Sequence, residues 1–279
     1  MDAVRDRYPE HFRRFGPQRL PMIVVASAML ALLLYGMQVL GFFDGKLLSG
    51  MGRLVEIAGL MMPPDPGSWA HARAYGMALI ETVAIALLGT LSAAILALPV
   101  GLLAARNVTA QRIVRFLARR SLDTIRSVDI LIWALIWINV VGLGPFAGAL
   151  AIMTSDIGSF GKLFSEAIEA ADRKPVEGIA SAGGSHFMGI RFGILPEVFP
   201  VLASQVLYYF ESNTRSASII GIVGAGGIGA HLSEQIRILE WQQVSFLVIL
   251  ILVTVAAIDW VSGKLRFAIM GRAPAGAAA

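Results

Sequence analysis

Glycines at a spacing known from nucleotide-binding proteins are the first residues in this chain that suggest a chemistry. Residues 218–231 read SIIGIVGAGGIGAH, in which Gly224, Gly226 and Gly229 satisfy the pattern G-x-G-x-x-G. In a dinucleotide site these glycines join a buried strand to a helix, and an acidic residue about 20 positions later binds the ribose. Here that distance leads to Val244, inside an apolar run. We therefore do not expect a nucleotide site.

The same glycines have another use inside a membrane. Small residues let helices approach closely, and non-helical backbone at membrane depth must be buried in protein or line a water-filled path. We therefore expect residues 221–229 to form a broken or re-entrant element beside a pathway. The glycines that we predict to line or gate it are Gly224, Gly226 and Gly227.

Polar residues directly before this stretch point to the same place. Glu211 and Arg215 are four positions apart and would share one face of a helix. Charges within a membrane usually mark a route or a pairing, so the pair is either purely structural or part of a path in which Arg215 attracts an anion. The predicted path or gate residues are Glu211, Ser212, Asn213, Arg215 and Ser216.

Other kinds of chemistry find little support. The four histidines lie in separate segments without metal-ligand spacing, and the chain has no cysteine, which excludes disulfides and thiol catalysis. We predict no catalytic residue and no metal site. No G-x-x-x-x-G-K-[ST] sequence occurs, so we expect no ATP hydrolysis by this chain.

Composition places these residues in a membrane protein. Of the 279 residues, 56% are hydrophobic and 15% are charged, whereas soluble domains carry about 25% charged residues. A span needs about 20 apolar residues. Six predicted spans follow: 21–43, 82–105, a hairpin of two spans in 128–161, 192–210 and 244–263.

The distribution of basic residues gives these spans an orientation. With the N-terminus inside, the inner segments hold 18 of the 23 Lys and Arg residues, as the positive-inside rule requires. Both termini are therefore expected in the cytoplasm. The predicted segments are a basic N-terminus (1–20), an N-terminal transmembrane helix with an external loop (21–74), a five-helix core (75–267) containing an inner loop at 165–192, and a disordered tail (268–279).

Residues 112–126, RIVRFLARRSLDTIR, place apolar side chains near one helical face and arginines on the others. That pattern is typical of a helix lying in the membrane interface. A cytoplasmic extension of a neighbouring span explains it equally well.

The inner loop carries an apolar face at helical spacing that something must cover, either a partner or the protein's own membrane helices. Pro175 and Glu177 suit the first turn of a helix. The loop resembles the cytoplasmic motif E-A-A-x3-G-x9-I-x-L-P of importer permeases of the ATP-binding-cassette (ABC) class, matching at Glu177, Gly183, Leu195 and Pro196. It departs at three positions: Gly178, Ile179 and Gly193.

A finer resemblance is to the phosphonate-importer permeases, a branch that includes phosphite and hypophosphite systems. Three stretches carry it: 141–148, 175–179 and 210–229. It implies the type I importer permease fold, with a cytoplasmic coupling helix at 176–190 that docks in a cleft of an ATPase. The residues implied in coupling are Glu177, Gly178, Ala180, Gly183, Gly184, Leu195 and Pro196.

The resemblance also implies the partners. They are two ATPase subunits that bind ATP and Mg²⁺, a second permease that is identical or homologous, an external binding protein and the bilayer of a bacterial inner membrane, with no nucleic acid. This chain would bind no cofactor itself. The rival hypotheses are an ion-coupled secondary transporter using Glu81, Glu211 or Asp259, an intramembrane enzyme, and an ABC permease for a different small solute. No inverted repeat and no catalytic pair within the spans is visible.

Overall fold

Helices make up the regular structure of the chain. A computed structural model describes residues 20–42 and 45–271, and no strand occurs within these ranges. In chain order the helices are α1 (Leu20–Val39), α2 (Lys46–Leu60), α3 (Trp69–Ala104), α4 (Arg112–Arg126), α5 (Ile130–Val141), α6 (Pro145–Ala170), α7 (Lys174–Ser181), α8 (His186–Met188), a π-helical segment (Gly189–Ile194), α9 (Leu195–Ile222), α10 (Ile228–Arg237) and α11 (Trp241–Met270). The all-α prediction is confirmed.

The chain divides into two compact units, one ending at Leu60 and the other beginning at Met61. Residues 61–65, which we assigned to the external loop, bind to α11 through two hydrogen bonds: Ser245 Oγ donates to the carbonyl of Met61 at 2.6 Å, and the amide of Asp65 donates to the carbonyl of Gln242 at 3.3 Å. The basic N-terminus, apart from Leu20, and the tail beyond Gly271 lie outside the described residues. Within the predicted tail, residues 268–270 continue α11.

Four helical stretches are long and apolar enough to cross a membrane: α1, α3, His186–Ile222 and α11. The pair α4 and α5, bent by 88°, would add a fifth if the two formed one span. We expected six because we counted the hairpin at 128–161 as two spans. The hairpin is present, but α5 has only 12 residues and α6 carries Asp156 and Lys162. By length and composition, the two helices of the hairpin therefore do not provide the two spans that we expected.

Small residues hold the second unit together. A Cβ atom added to Gly89 of α3 would lie 2.7 Å from Cβ of Ile152 on α6, and alanines of α3, α6 and α9 are fully buried around them. Nearer the α7 end, Phe160 and Phe164 stack with their ring centroids 5.2 Å apart. Close backbone approach of this kind is how helices associate in a membrane, and it fixes α9 against α3 and α6.

Candidate functional site: a glycine turn, a polar helix face and an exposed loop

The glycine-rich stretch is a break between two helices. α9 ends at Ile222 and α10 begins at Ile228, so the prediction of a broken element is confirmed. Between them Gly224, Gly226 and Gly227 have φ angles of +101°, +80° and +74°, which side chains with a Cβ rarely adopt. We call residues 223–227 the glycine turn.

Side chains of α3 satisfy the backbone at the start of α10. The amide of Gly227 donates to Oε1 of Glu81 at 2.8 Å, and the amide of Ile228 donates to Oγ1 of Thr82 at 2.8 Å. A carboxylate is favourable here because the first amides of a helix lack partners and the helix end is positive. A phosphate bound as in a dinucleotide site would need these same donors. The chain's own carboxylate and hydroxyl already use them.

The turn also contacts the hairpin and its own helices. The amide of Gly144 donates to the carbonyl of Gly224 at 3.0 Å. A Cβ atom on Gly221 would lie 2.9 Å from Cα of Gly229, and one on Gly226 would lie 2.8 Å from Cα of Pro145. Each of these glycines is therefore required by its backbone angle, by the closeness of a neighbouring backbone, or by both.

α9 continues three turns beyond the predicted span of 192–210. The residues that we predicted for a path, which follow that span in the sequence, thus lie on the same continuous helix as the span. The helix separates them into two groups. Glu211 and Asn213 are buried, whereas Arg215 is exposed and Ser212 and Ser216 are half-buried.

Asn213 joins three helices. Its Nδ2 donates to Oγ1 of Thr90 on α3 at 2.8 Å and to Oδ2 of Asp156 on α6 at 2.5 Å. Asp156 is only 5% exposed. Buried polar groups need partners, and Asn213 supplies one to the carboxylate. This cluster therefore positions α9 within the second unit.

Glu211 has two cationic partners. Arg215, one turn along α9, places Nη1 3.2 Å from Oε1, which confirms the predicted pairing on one helix face. Arg266 of α11 places Nη2 3.2 Å from Oε2. Sequence reasoning missed Arg266 because it lies 55 positions away. The two carboxylate oxygens are thus shared between two guanidinium groups on different helices.

An accessible strip of hydrogen-bonding side chains runs along α9 beside this carboxylate. Its members are exposed or half-buried and recur at helical spacing: Gln205, Tyr208, Ser212, Arg215 and Ser216. We call this strip the polar face of α9. We did not predict Gln205 and Tyr208 as members of this face. The sequence contained a signal for them, because residues 205, 208 and 212 are spaced i, i+3 and i+7 and so share one side of a helix. Such a face is unsuited to lipid, because an arginine exposed to hydrocarbon is costly.

The α7 loop, residues 171–194, is a second candidate site. α7 covers Lys174–Ser181 with Pro175 in the first turn, as predicted. The expected helix at 176–190 was too long: Gly183 has φ +81° and ends it, and a new helix starts at His186 after Ser185, whose Oγ accepts from the amide of Met188 at 3.3 Å. The amide of Gly184 donates to the carbonyl of Ile179 at 2.8 Å, which closes the end of α7.

The packing of α7 explains two departures from the permease motif. Side-chain atoms of Val176 would lie 3.1 Å from a Cβ on Gly189 and 3.0 Å from one on Gly193. Ile179 packs against Gly184 in the same way. A larger residue at 193 would therefore displace α7, and Ile179 occupies the space that Gly184 leaves.

The outer surface of the loop is exposed. Four of the predicted coupling residues are exposed in it, namely Glu177, Gly178, Ala180 and Gly183, and Pro196 is exposed beside it. Gly184, which packs against Ile179, and Leu195 are half-buried. The large side chains of Phe187 and Phe192 are 68% and 62% exposed. One loop thus presents acidic, small and aromatic residues together.

Two polar contacts tie this loop to its neighbours. Nε2 of His186 lies 3.0 Å from the carbonyl of Val108, which follows α3. The amide of Asp172 donates to Oε1 of Glu197 on α9 at 2.8 Å. A force on α7 would therefore reach both α3 and α9, the two helices that hold the glycine turn.

The axes of α4 and α5 are nearly perpendicular, with a bend of 88° between the two helices. α4 packs on α6 through Leu122, which is 2% exposed. Ile113, Phe116 and Leu117 are exposed. The 88° bend favours the interface helix over a simple extension of a span.

Among the described residues, no group of three or more potential metal ligands comes together.

Comparisons with known proteins agree with this arrangement. The family "binding-protein-dependent transport system inner membrane component" matches residues 97–266. The chain is 37% identical to the putative phosphite transport system permease protein HtxC of Stutzerimonas stutzeri over 88% of this chain and 86% of that protein. It is 35% identical to the phosphite transport system permease protein PtxC of the same organism over 95% and 96%.

A shorter match with a higher identity is to the putative cryptic phosphonate transport system permease protein PhnE2 of Escherichia coli, with 49% identity over 42% of this chain and 96% of that protein. Among solved structures, an inward-facing conformation of the MetNI methionine ABC transporter gives a TM-score of 0.63 at 18% identity, covering 72% of this chain and 99% of that chain. At this identity the likeness concerns the fold alone.

Proposed function

The chain belongs to the binding-protein-dependent transport system inner membrane components, and from this premise we propose that it forms the path by which phosphite, hypophosphite or a phosphonate enters the cell. As a member of that family it is a permease subunit of an ABC transport system and not an enzyme. Systems of this kind work with an ATPase and a substrate-binding protein.

The substrate class is supported from two directions. Of three relatives that cover most of the chain, two are named as phosphite permeases and one is named as a phosphate-import permease. Independently, the polar face of α9 offers one exposed guanidinium, that of Arg215, between the hydroxyls of Ser212 and Ser216. A cation flanked by hydroxyl donors suits a small oxyanion. The position of Arg215 on an accessible helix face is the observation that carries the proposal.

The α7 loop is where we propose that an ATPase docks. Its exposed surface joins Glu177 and small residues to the aromatic side chains of Phe187 and Phe192. Burial of apolar surface stabilises such a contact by about 25 cal/mol per Å², whereas one exposed ion pair contributes about 0–1 kcal/mol. Phe187 and Phe192 would therefore supply the affinity, and Glu177 the register.

In the proposed complex two ATPase subunits bind ATP and Mg²⁺ and act on two permeases, identical or homologous. When ATP draws the ATPases together, the α7 loops move with them and shift α3 and α9. The distribution of basic residues supports an orientation with both termini and the α7 loop in the cytoplasm. The external binding protein would meet the opposite side, where the glycine turn lies between α9 and α10.

The ion-coupled alternative finds less support. Glu81 accepts a hydrogen bond from the amide of Gly227, and Glu211 pairs with two arginines. Both carboxylates therefore already have partners within the fold. Asp259 is exposed, and its Oδ1 lies 3.9 Å from Nη2 of Arg266. Of the three carboxylates, it alone would have to bind and release the coupling proton. A permease for a different small solute remains the alternative that the uptake experiment addresses.

The test is uptake in the bacterium that encodes the chain. Deleting the gene is expected to prevent growth on phosphite, hypophosphite or methylphosphonate as sole phosphorus source, with growth on phosphate kept. The wild-type gene should restore growth, and a plasmid carrying Arg120→Gln, an exposed arginine of α4, should restore it equally. Unchanged growth of the deletion strain on all three compounds, in a strain without a second importer, would contradict the proposal.

A further inference from the structure

The carboxylate of Glu211 is nearly buried, with 10% of its side chain exposed, and each of its oxygens has its own arginine. Nη1 of Arg215 and Nη2 of Arg266 each lie 3.2 Å from one oxygen. A buried carboxylate can therefore lose one of these partners and still keep a charge-assisted hydrogen bond to the other.

The two arginines differ in what surrounds them. Arg215 has 48% of its side chain exposed, and it belongs to the polar face of α9. Arg266 is only 24% exposed, lies over the ring of Tyr208 with its guanidinium carbon 5.9 Å from the centroid, and is 3.9 Å from Asp259. Arg266 is thus held from three directions, whereas Arg215 is free to turn towards an approaching anion.

We propose that Arg215 binds the transported oxyanion by exchanging it for Glu211, and that Arg266 is the positioning residue that keeps Glu211 paired during the exchange. This rests on the proposed function, because it requires an anion in the path. Ser212 and Ser216, on the same face, supply hydroxyl donors to the anion.

Physical reasoning favours an exchange over permanent binding. A free guanidinium in the path would bind a phosphorus oxyanion tightly and release it slowly, whereas Glu211 competes for Arg215 and so speeds release. The competition is possible only if Glu211 tolerates the loss of Arg215. Removing one partner from a buried pair is strongly unfavourable, and the bond from Arg266 to Oε2 lowers that penalty.

The experiment measures initial rates of phosphite uptake by the complete complex, with its ATPase and binding protein, in proteoliposomes. Arg215→Gln should lower uptake at least about tenfold, with the complex still assembled as judged by copurification of the ATPase. If Arg215→Gln fails to assemble, Glu211→Gln with Arg215→Gln removes both charges of the α9 pair and should show the same loss. Arg120→Gln is the matched arginine control and should transport normally.

The decisive variant is Arg266→Gln. Because Glu211 then has only Arg215, the arginine is held back and the KM for phosphite should rise by about three- to tenfold. Adding Glu211→Gln to Arg266→Gln frees Arg215 and should return the KM towards that of the wild type. A merely structural role of Arg266 predicts no such rescue, so a KM that stays raised in the double variant would overturn the exchange.

Other outcomes separate this inference from the function on which it rests. Normal phosphite uptake by Arg215→Gln would overturn the exchange while leaving the phosphite importer intact. If the wild-type complex transports none of phosphite, hypophosphite or methylphosphonate, the proposed function fails, and the exchange fails with it. Loss with Arg215→Gln together with rescue of Arg266→Gln by Glu211→Gln would support both.

Discussion

The glycine turn and the α7 loop are both rich in glycine, yet the glycines around the turn and those on the outer surface of the loop have opposite surroundings. In and around the turn, Gly221, Gly226 and Gly229 lie against backbone atoms of neighbouring segments. In the loop, Gly178 and Gly183 have no other atom within 4 Å of where a Cβ would be. The first set is needed by the fold itself. The second leaves an open surface, which is what a separate protein requires for docking.

Because of this difference in surroundings, substitutions in the two regions should affect different properties: the stability of the fold in one case and the coupling of transport to ATP hydrolysis in the other. Substitutions at the turn should act on folding, because the fold already occupies the space around each glycine. Substitutions on the outer surface of the loop should act on transport and leave the fold intact. The following experiments substitute residues in one region or the other and measure stability, transport or both.

The largest effect on stability is expected for Gly229→Ala. The added methyl group would collide with the carbonyl oxygen of Ser218 and approach Cα of Gly221, so α9 and α10 could not keep their contact. Overpacking of this kind costs about 1–3 kcal/mol and occasionally more. The thermal unfolding midpoint and the yield of the purified permease should both fall. Gly178→Ala is the control and should lower neither of them; equal losses in the two variants would show that the two regions do not differ in this respect.

Glu177→Lys should lower ATP-driven uptake about tenfold or more without changing stability by more than about 0.5 kcal/mol. Gly183→Arg should lower uptake as much, and it should also cost about 1–2 kcal/mol of stability, because Gly183 has a φ angle of +81°. Both residues are exposed, and nothing else in the described chain fills the space beside Gly183. Uptake is to be compared with the unfolding midpoint in the same preparation. Normal coupled uptake by both variants would show that the loop is not the docking surface.

Thr82→Val should reduce stability by about 1 kcal/mol, as the loss of a helix-capping hydroxyl does. The variant keeps the shape of the side chain and removes only the hydroxyl that accepts from the amide of Ile228. The measurement is the unfolding midpoint in detergent. Thr254→Val on α11, whose hydroxyl bonds only within its own helix, is the matched control and should change less.

The smallest effect is expected for Gly193→Ala. Its methyl group would lie 3.0 Å from Cγ2 of Val176, so α7 must move by a few tenths of an ångström, at a cost below about 1 kcal/mol. Adding Val176→Ala should relieve the contact and restore the unfolding midpoint. If the pair of substitutions is no better than the single one, α7 does not pack on residue 193.

The sequence predicts a structural feature of this protein well when the residues that form it are close together in the chain, and poorly when they are far apart. The break at the glycines and the pairing of Glu211 with Arg215 follow from local spacing, and both are confirmed. Local rules did not find the partners that complete these features, because Glu81 lies 146 positions from Gly227 and Arg266 lies 55 positions from Glu211. Only packing brings them together.

Two other differences have physical reasons of their own. α9 extends beyond the predicted span because residues 211–222 continue the same helix, and apolar length alone does not reveal that a helix continues through polar residues. α7 ends before residue 190 because Gly183 takes a backbone angle that an apolar periodicity does not reveal. Periodicity identified the apolar residues of this loop, and the angle at one glycine decided where the helix ends.

Site-directed thiol labelling tests most directly the central claim, that the exposed α7 loop is the docking surface for the ATPase. The chain contains no cysteine, so Ala180→Cys gives a unique thiol on that surface, and Leu239→Cys gives one between α10 and α11. The account predicts that Ala180→Cys reacts with a maleimide in the isolated permease and is protected in the complex with ATPase, while Leu239→Cys reacts equally in both. Equal labelling of Ala180→Cys with and without the ATPase would contradict it.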